Sequence, residues 1–247
     1  MRKVASARAL AVHDLVGRTK SISSKRLGAL VLLALVLVAC GTAEPTATSE
    51  PTPSSTSPPA SVTAFNIGLP TPGVTWQRQL EDLSADLTLD VDVYDLGLFE
   101  TDAAEIAQLR ADGKHAICYL SAGSGEEWRN DIDDFPPAVI GNAYDGWEGD
   151  RWFDIRQIDA LAPVMLARLD LCAAKGFSAI EPDNIDGYTN DTGFPLMYDD
   201  QLVFNHWLAV VAHEHGLSIG LKNDDEQVAD LVDHFDWALT EGCFDQG

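Results

Sequence analysis

From residue 65 onward the chain alternates short apolar runs with longer stretches whose apolar positions recur at helical spacing. Segments 75–80, 91–96, 115–120, 151–155, 177–180, 217–223 and 237–241 carry β-branched, aromatic and aliphatic residues and are flanked by turn formers, which predicts strands. The run His115-Ala116-Ile117-Cys118-Tyr119-Leu120 is almost continuously apolar, as expected for a strand covered on both faces. Asp102 and Glu105 have the spacing of a capping box and open a helix with Ile106 and Leu109 on its apolar side and Gly113 as its stop. Pro163 is placed in the first turn of a second helix that runs through Met165, Leu166, Leu169 and Ala173 to Gly176. Residues 202–215, stopped by Gly216, and residues 228–235 predict two more. Residues 121–149, rich in Gly, Asp, Glu and Trp, are expected to form one long functional loop.

Strand–helix alternation with connections of this length implies a parallel sheet with right-handed crossovers. Seven strands point to the α/β class and a (β/α)8 TIM barrel lacking its last strand in this chain, with residues 65–69 as another contributor to closure. No Gly-rich phosphate fingerprint follows the first strand, which argues against a dinucleotide fold. Residues 65–247 are therefore expected to be a C-terminally truncated barrel domain.

Before residue 65 the pattern changes twice. Residues 1–26 carry scattered Arg and Lys, and residues 27–39 are apolar apart from Gly28, too short to span a bilayer but suited to a signal-peptide core. Leu37-Val38-Ala39-Cys40-Gly41 resembles a bacterial lipobox, so residues 1–39 are expected to be a lipoprotein signal peptide and Cys40 the lipidated residue. Residues 40–64, dominated by Thr, Ser, Pro, Ala and Glu, cannot bury enough surface to offset their ordering entropy and are expected to be a disordered tether. The expected location is extracytoplasmic, either lipid-anchored to the cell membrane or secreted.

Charge narrows the choice of partner. Residues 1–39 hold seven basic residues and one acid; residues 40–247 hold nine and 38, a net of −29. Such a field repels nucleic acid and anionic headgroups and attracts a cationic ligand, although an acidic surface also serves solubility. The expected partner is a cationic ligand, which among glycans would be an aminosugar polymer, with membrane contact through the lipid anchor alone and a monomeric state. Residues at the predicted strand ends are polar or aromatic throughout: Gln77 and Gln79, Tyr94 and Asp95, Tyr119 and Ser121, Trp152 and Asp154, Asp183, Asn184 and Asp186, Lys222 and Asn223, and Glu241. In a barrel these ends converge on one face.

Metal and acyl-transfer chemistry find little support. His213-Glu214-His215 lacks the spacing that puts two ligands on one helical face, and no Gly-x-Ser-x-Gly elbow is present. No metal and no cofactor are expected. Cys118, Cys172 and Cys243 remain after lipidation, an odd number whose pairing is left open. Clustered acids do suit glycoside hydrolysis, in which one carboxyl protonates the leaving oxygen and another serves as nucleophile or base, while Trp and Tyr offer flat faces to sugar rings.

Several ordered blocks carry a family resemblance. These are Trp76-Gln77-x-Gln79-Leu80, Val93-Tyr94-Asp95, Ile117 to Ser124, Glu126-x-Trp128-Arg129-x-Asp131, Arg151 to Arg156, Glu181 to Tyr188, Gly220 to Asp224 and Glu241-Gly242-Cys243. Over about residues 75–243 the chain resembles the glycoside hydrolase family 114 barrel, the endo-α-1,4-polygalactosaminidase type. The resemblance implies endo-cleavage of α-1,4-linked galactosamine with retention and without metal. Asp183 would be the nucleophile or base and Glu241 the acid/base. Asp95, Tyr119, Arg129, Trp152, Asp154, Asn184 and Lys222 would line the sugar site, with Glu126, Asp186 and Asn223 among the substrate-binding residues. The sequence departs from the family pattern at Gly97, where a second acid is usual, and at Asn130, where a proline is usual. Two other readings are a barrel that binds surface glycan without cleaving it and a hydrolase for neutral α-galactosides.

Overall fold

The computed structural model describes residues 73–80 and 87–241; the expected signal peptide, Cys40, the tether, residues 65–69 and Cys243 lie outside them. Six parallel strands form the main sheet: β1 (Trp76–Gln79), β2 (Val93–Gly97), β3 (His115–Ser121), β7 (Ala179–Asp183), β8 (Ser218–Lys222) and β9 (Trp237–Leu239), neighbours in that order. Helices α1 (Ala103–Ala111), α2 (Ile158–Lys175), α3 (Tyr198–Glu214) and α4 (Val228–Leu231) alternate with them. The sheet curls into a half-barrel, a partial (β/α)8 barrel. Arg78 on one border strand reaches Glu241, just past the other, with Nη1 2.5 Å from Oε1.

Local sequence explains most elements. The capping box is formed at α1: Glu105 accepts from the Asp102 backbone N–H at 2.7 Å, and Ile106 and Leu109 face the core. On α2, Leu161, Met165, Leu169 and Cys172 repeat at helical spacing and are buried, and Gly176 ends the helix at φ 95°, the left-handed conformation that glycine adopts without a Cβ penalty. Helix α2 begins at Ile158, five residues before Pro163, so the proline sits inside the helix rather than in its first turn. α4 is a single turn ending at Leu231, short of the expected residue 235.

The larger correction concerns residues 121–155. They are not one loop followed by a barrel strand. Strands β4 (Ser124–Glu126), β5 (Ile140–Ala143) and β6 (Asp150–Phe153) make a separate antiparallel sheet in the order β4-β6-β5. The reason is connectivity. Only residues 144–149 join β5 to β6, a hairpin length, whereas a parallel partner needs a crossover of a dozen or more residues, usually a helix. The barrel strands among the described residues therefore number six, and the small sheet forms a wall above their C-terminal ends.

Arg168 fastens this wall to the barrel. It is 2% exposed, grips Asp131 with two bonds of 2.7 and 2.8 Å, donates to the Ser121 carbonyl at 2.8 Å, and lies between the rings of Phe99 and Phe135. A disulfide joins Cys118 on β3 to Cys172 on α2 beneath it. No helix among the described residues is long and apolar enough to cross a membrane.

Candidate active site

Strand ends and the wall enclose a cleft of about 490 Å³. Glu100, Glu126, Asp150, Asp183, Asp186 and Glu241 line it, against the cations Arg78 and Arg129; Tyr119, Trp128, Tyr144 and Trp147 supply flat surfaces, and Asn184 and Asn223 amides. Six acids facing two cations make the space attractive to a positively charged ligand.

Asp183 ends β7. Its backbone carbonyl accepts from the N–H groups of Ala122 and Gly123 at 2.9 and 3.1 Å, which places the side chain beside the end of β3. Tyr119 Oη donates to Asp183 Oδ2 at 2.9 Å and Lys222 Nζ donates to Oδ1 at 2.7 Å. Asn184 turns the chain in the left-handed conformation (φ 62°), and its amide donates to the hydroxyls of Ser121 and Ser124 at 3.0 and 2.7 Å. A strained backbone next to a reactive side chain is held only where the surroundings over-determine it, as they do here. Gly123 is required: a Cβ there would sit 1.7 Å from the Asn184 carbonyl oxygen.

Glu241 follows β9 and is half exposed. Its backbone N–H donates to Asn223 Oδ1 at 3.0 Å, its Oε1 meets Arg78, and its Oε2 lies 3.5 Å from Lys222 Nζ. Partial burial pushes its carboxyl up, but Lys222 and Arg78 outweigh that and hold it below the usual glutamate range, so it is ionised at neutral pH. Legs of 2.7 and 3.5 Å meet at Lys222 Nζ, so the nearest oxygens of Asp183 and Glu241 are at most about 6.2 Å apart.

Burial, then the charge of Asp183, pushes the Asp186 carboxyl up; burial does the same to Asp150. The Tyr119 hydroxyl is raised by burial and by Asp183, so it stays a donor. Arg129 is held on the wall by Glu126 with bonds of 2.7 and 3.0 Å and by Glu100.

Of the residues expected at the site, Asp183, Glu241, Tyr119, Glu126, Arg129, Asn184, Asp186 and Asn223 meet around this cleft. Lys222 and Asp95 lie beneath its floor, each 1% exposed. Trp152 is 3% exposed and sits behind Tyr144, ring centroids 4.6 Å apart, so it supports the surface rather than presenting one. Asp154 is turned away from the cleft: it accepts from Arg156 at 2.7 and 3.0 Å and from Gln157 at 2.9 Å at the start of α2. Their separation follows from β6 belonging to the wall. The wall residues Tyr144, Trp147 and Asp150, and Glu100 after β2, had no strand-end signal to mark them. Arg78 had none either: only its pairing in register with Asp95 on the neighbouring strand shows that it shares that residue's face.

Among the described residues, no group of three or more His, Cys, Asp or Glu is arranged to hold a metal ion. No curated protein sequence matches the chain. Among solved structures, it is similar to Aspergillus fumigatus Ega3, determined in complex with galactosamine, with 38% identity over 72% of this chain and 70% of that one and a TM-score of 0.70. It is also similar in fold to the glycoside hydrolase domain of PelA from Pseudomonas aeruginosa, with 17% identity over 68% of this chain and 66% of that one and a TM-score of 0.51. The model of glycoside-hydrolase family GH114 matches residues 54–247. With the family model matched over most of the chain and a relative 38% identical over 72% of it, the half-barrel chain belongs to glycoside-hydrolase family GH114 and is a glycoside hydrolase.

Proposed function

We propose that the protein cleaves a galactosamine-rich polysaccharide internally, at α-1,4 linkages and with retention of configuration. The observation that carries this is the placement of Asp183 and Glu241 on one buried ammonium, that of Lys222, inside a cleft of excess negative charge. Retaining glycosidases hold their two carboxyls about 5–5.5 Å apart, and nearest oxygens no more than about 6.2 Å apart are compatible with that spacing. Asp183, oriented by Tyr119 and Lys222, attacks the anomeric carbon while Glu241 protonates the departing oxygen. Glu241 then takes a proton from water, which hydrolyses the glycosyl-enzyme. The free site holds Glu241 ionised, the form needed in the second step. A sugar seated over it deepens its burial, which opposes Arg78 and Lys222 and favours the protonated form needed in the first.

Galactosamine bound to the Aspergillus fumigatus relative supports an aminosugar substrate, and the acidic lining suits its ammonium group. Flat surfaces from Trp128, Tyr144 and Trp147 along the cleft suit a run of sugar rings. The apolar segment before Cys40 supports export and lipid anchoring, and the Cys118–Cys172 disulfide fits an oxidising compartment.

The test is product analysis on partly deacetylated galactosaminogalactan with wild type, Asp183→Asn and Glu241→Gln. Oligosaccharides released by wild type and lost in both variants are expected. Release undiminished in the variants would sink the assigned roles, and binding without release would make the protein a glycan-binding lipoprotein instead.

A further inference from the structure

Beneath the cleft lie two carboxyls that the chemistry above does not use. Asp95 on β2 and Glu181 on β7 are 1% and 0% exposed, and neither lines the cleft. Arg78 lies against both, with Nε 3.5 Å from Asp95 Oδ2 and Nη2 2.9 Å from Glu181 Oε1, and Lys222 Nζ is 3.2 Å from that same Glu181 oxygen. Yet both Asp95 oxygens and Glu181 Oε2 have no hydrogen-bond partner, and neither has Arg78 Nε. Three orphaned carboxylate oxygens in a dry interior are costly, because an ionised carboxylate can only accept. A proton on Asp95 turns an orphaned acceptor into a donor, and the Glu181 carboxyl is within hydrogen-bonding reach.

We propose that Asp95 carries a proton and donates it in a hydrogen bond to Glu181, and that this pair positions Arg78 and Lys222 beneath Glu241 and Asp183. Were both acids ionised, the two cations would be matched charge for charge in the interior. With one proton between the acids, one positive charge is left to act on the carboxylates above. The groups facing Asp95 are Arg78 from β1, Glu181 from β7 and Lys222 from β8, while β3 presents Tyr119, whose ring lies 5.6 Å from the Arg78 guanidinium carbon. Burial and Glu181 drive Asp95 well above the ordinary aspartate range against the pull of Arg78 and Lys222. Asp95 and Glu181 are thus positioning residues that act through the cations, and Asp95 does not contact substrate.

Infrared difference spectroscopy between wild type and Asp95→Asn tests this without any assay of activity. A protonated-carboxyl C=O band in wild type at neutral pH, missing in the variant, is expected; no such band overturns the proposal. The kinetic arm rests on the proposed hydrolysis. Asp95→Ala is expected to lower kcat about tenfold or more with KM within about twofold, and Asp95→Asn, which keeps a neutral donor for Glu181, to restore kcat to within about threefold of wild type. Asn performing as poorly as Ala, or raising KM about tenfold, overturns the donated proton, because a charge rather than a donor would then be what matters. If Asp95→Ala does not fold, the band and the Asn variant still decide. Wild type releasing no sugar while the band is present would sink the proposed activity and leave the hydrogen-bonded pair standing.

Discussion

Cys118 lies within β3 and Cys172 near the end of α2, both fully buried, and their disulfide closes a stretch of chain 54 residues apart in sequence. Replacing both with alanine removes that constraint from the unfolded chain. For a loop of this length the chain-entropy relation gives about 14 cal/mol/K, or about 4 kcal/mol at 25 °C. In a domain of this size each kcal/mol shifts Tm by about 2–4 °C, so a fall of about 8–16 °C is expected. Urea unfolding of wild type and the double variant, followed by tryptophan fluorescence without reductant, measures the difference directly. The turnover of folded molecules is expected to change little, because the register that pairs Ser121 with Asp183 is set by the strands. A stability loss under about 1 kcal/mol would refute the reasoning, since the entropy of a loop this long could not then be what the bond supplies.

Other outcomes follow from single contacts. Tyr119→Phe removes a hydrogen bond to the Asp183 carboxylate and is expected to lower kcat about 10- to 100-fold, the equivalent of the roughly 1.5–3 kcal/mol of a bond to a charged group, with Asp183 itself intact. Gly123→Ala drives a methyl into the Asn184 carbonyl and is expected to abolish soluble expression or lower Tm steeply, as read by thermal melting. Burial, then Asp186, pushes the Asp224 carboxyl up to about 7. A raised acid binds its proton more tightly when folded, so it destabilises the fold progressively as pH rises from the unfolded value toward 7 and by a constant amount above. Asp224→Asn is therefore expected to gain stability over wild type at pH 8 relative to pH 5; a pH-independent difference would contradict this. For Glu241 the sign reverses: its lowered carboxyl stabilises fully above the ordinary glutamate range, and the advantage over Glu241→Gln is expected to vanish as pH falls from that range through the lowered folded value.

The alternation of runs carried the strands, the helices and the barrel class because a parallel strand buried on both faces and a helix with one apolar stripe leave different periods in the chain. It failed for β6, where Arg151-Trp152-Phe153 has the composition of any strand and nothing local says which sheet it joins. That mistake carried Trp152 and Asp154 into the expected sugar site. Clustering of acids after β7 made Asp183 and Asp186 legible. Arg78 was passed over because Trp76-Gln77-Arg78-Gln79 is polar at almost every position, so no alternation marks its inward face. Only the pairing of Arg78 with Asp95 in register makes its direction readable.

The contact between Arg78 and Glu241 also dates the birth of the site. Its two halves are 163 residues apart in the chain and stand on opposite borders of the sheet. During synthesis Arg78 emerges well before the carboxylate it will hold. Contacts of such separation form only after the entropy of closing the intervening chain has been overcome, once the strands between them are in place. A molecule still assembling its sheet therefore has the proposed acid/base unanchored. On the role proposed for Glu241, the onset of activity reports that Arg78 and Glu241 have been brought together.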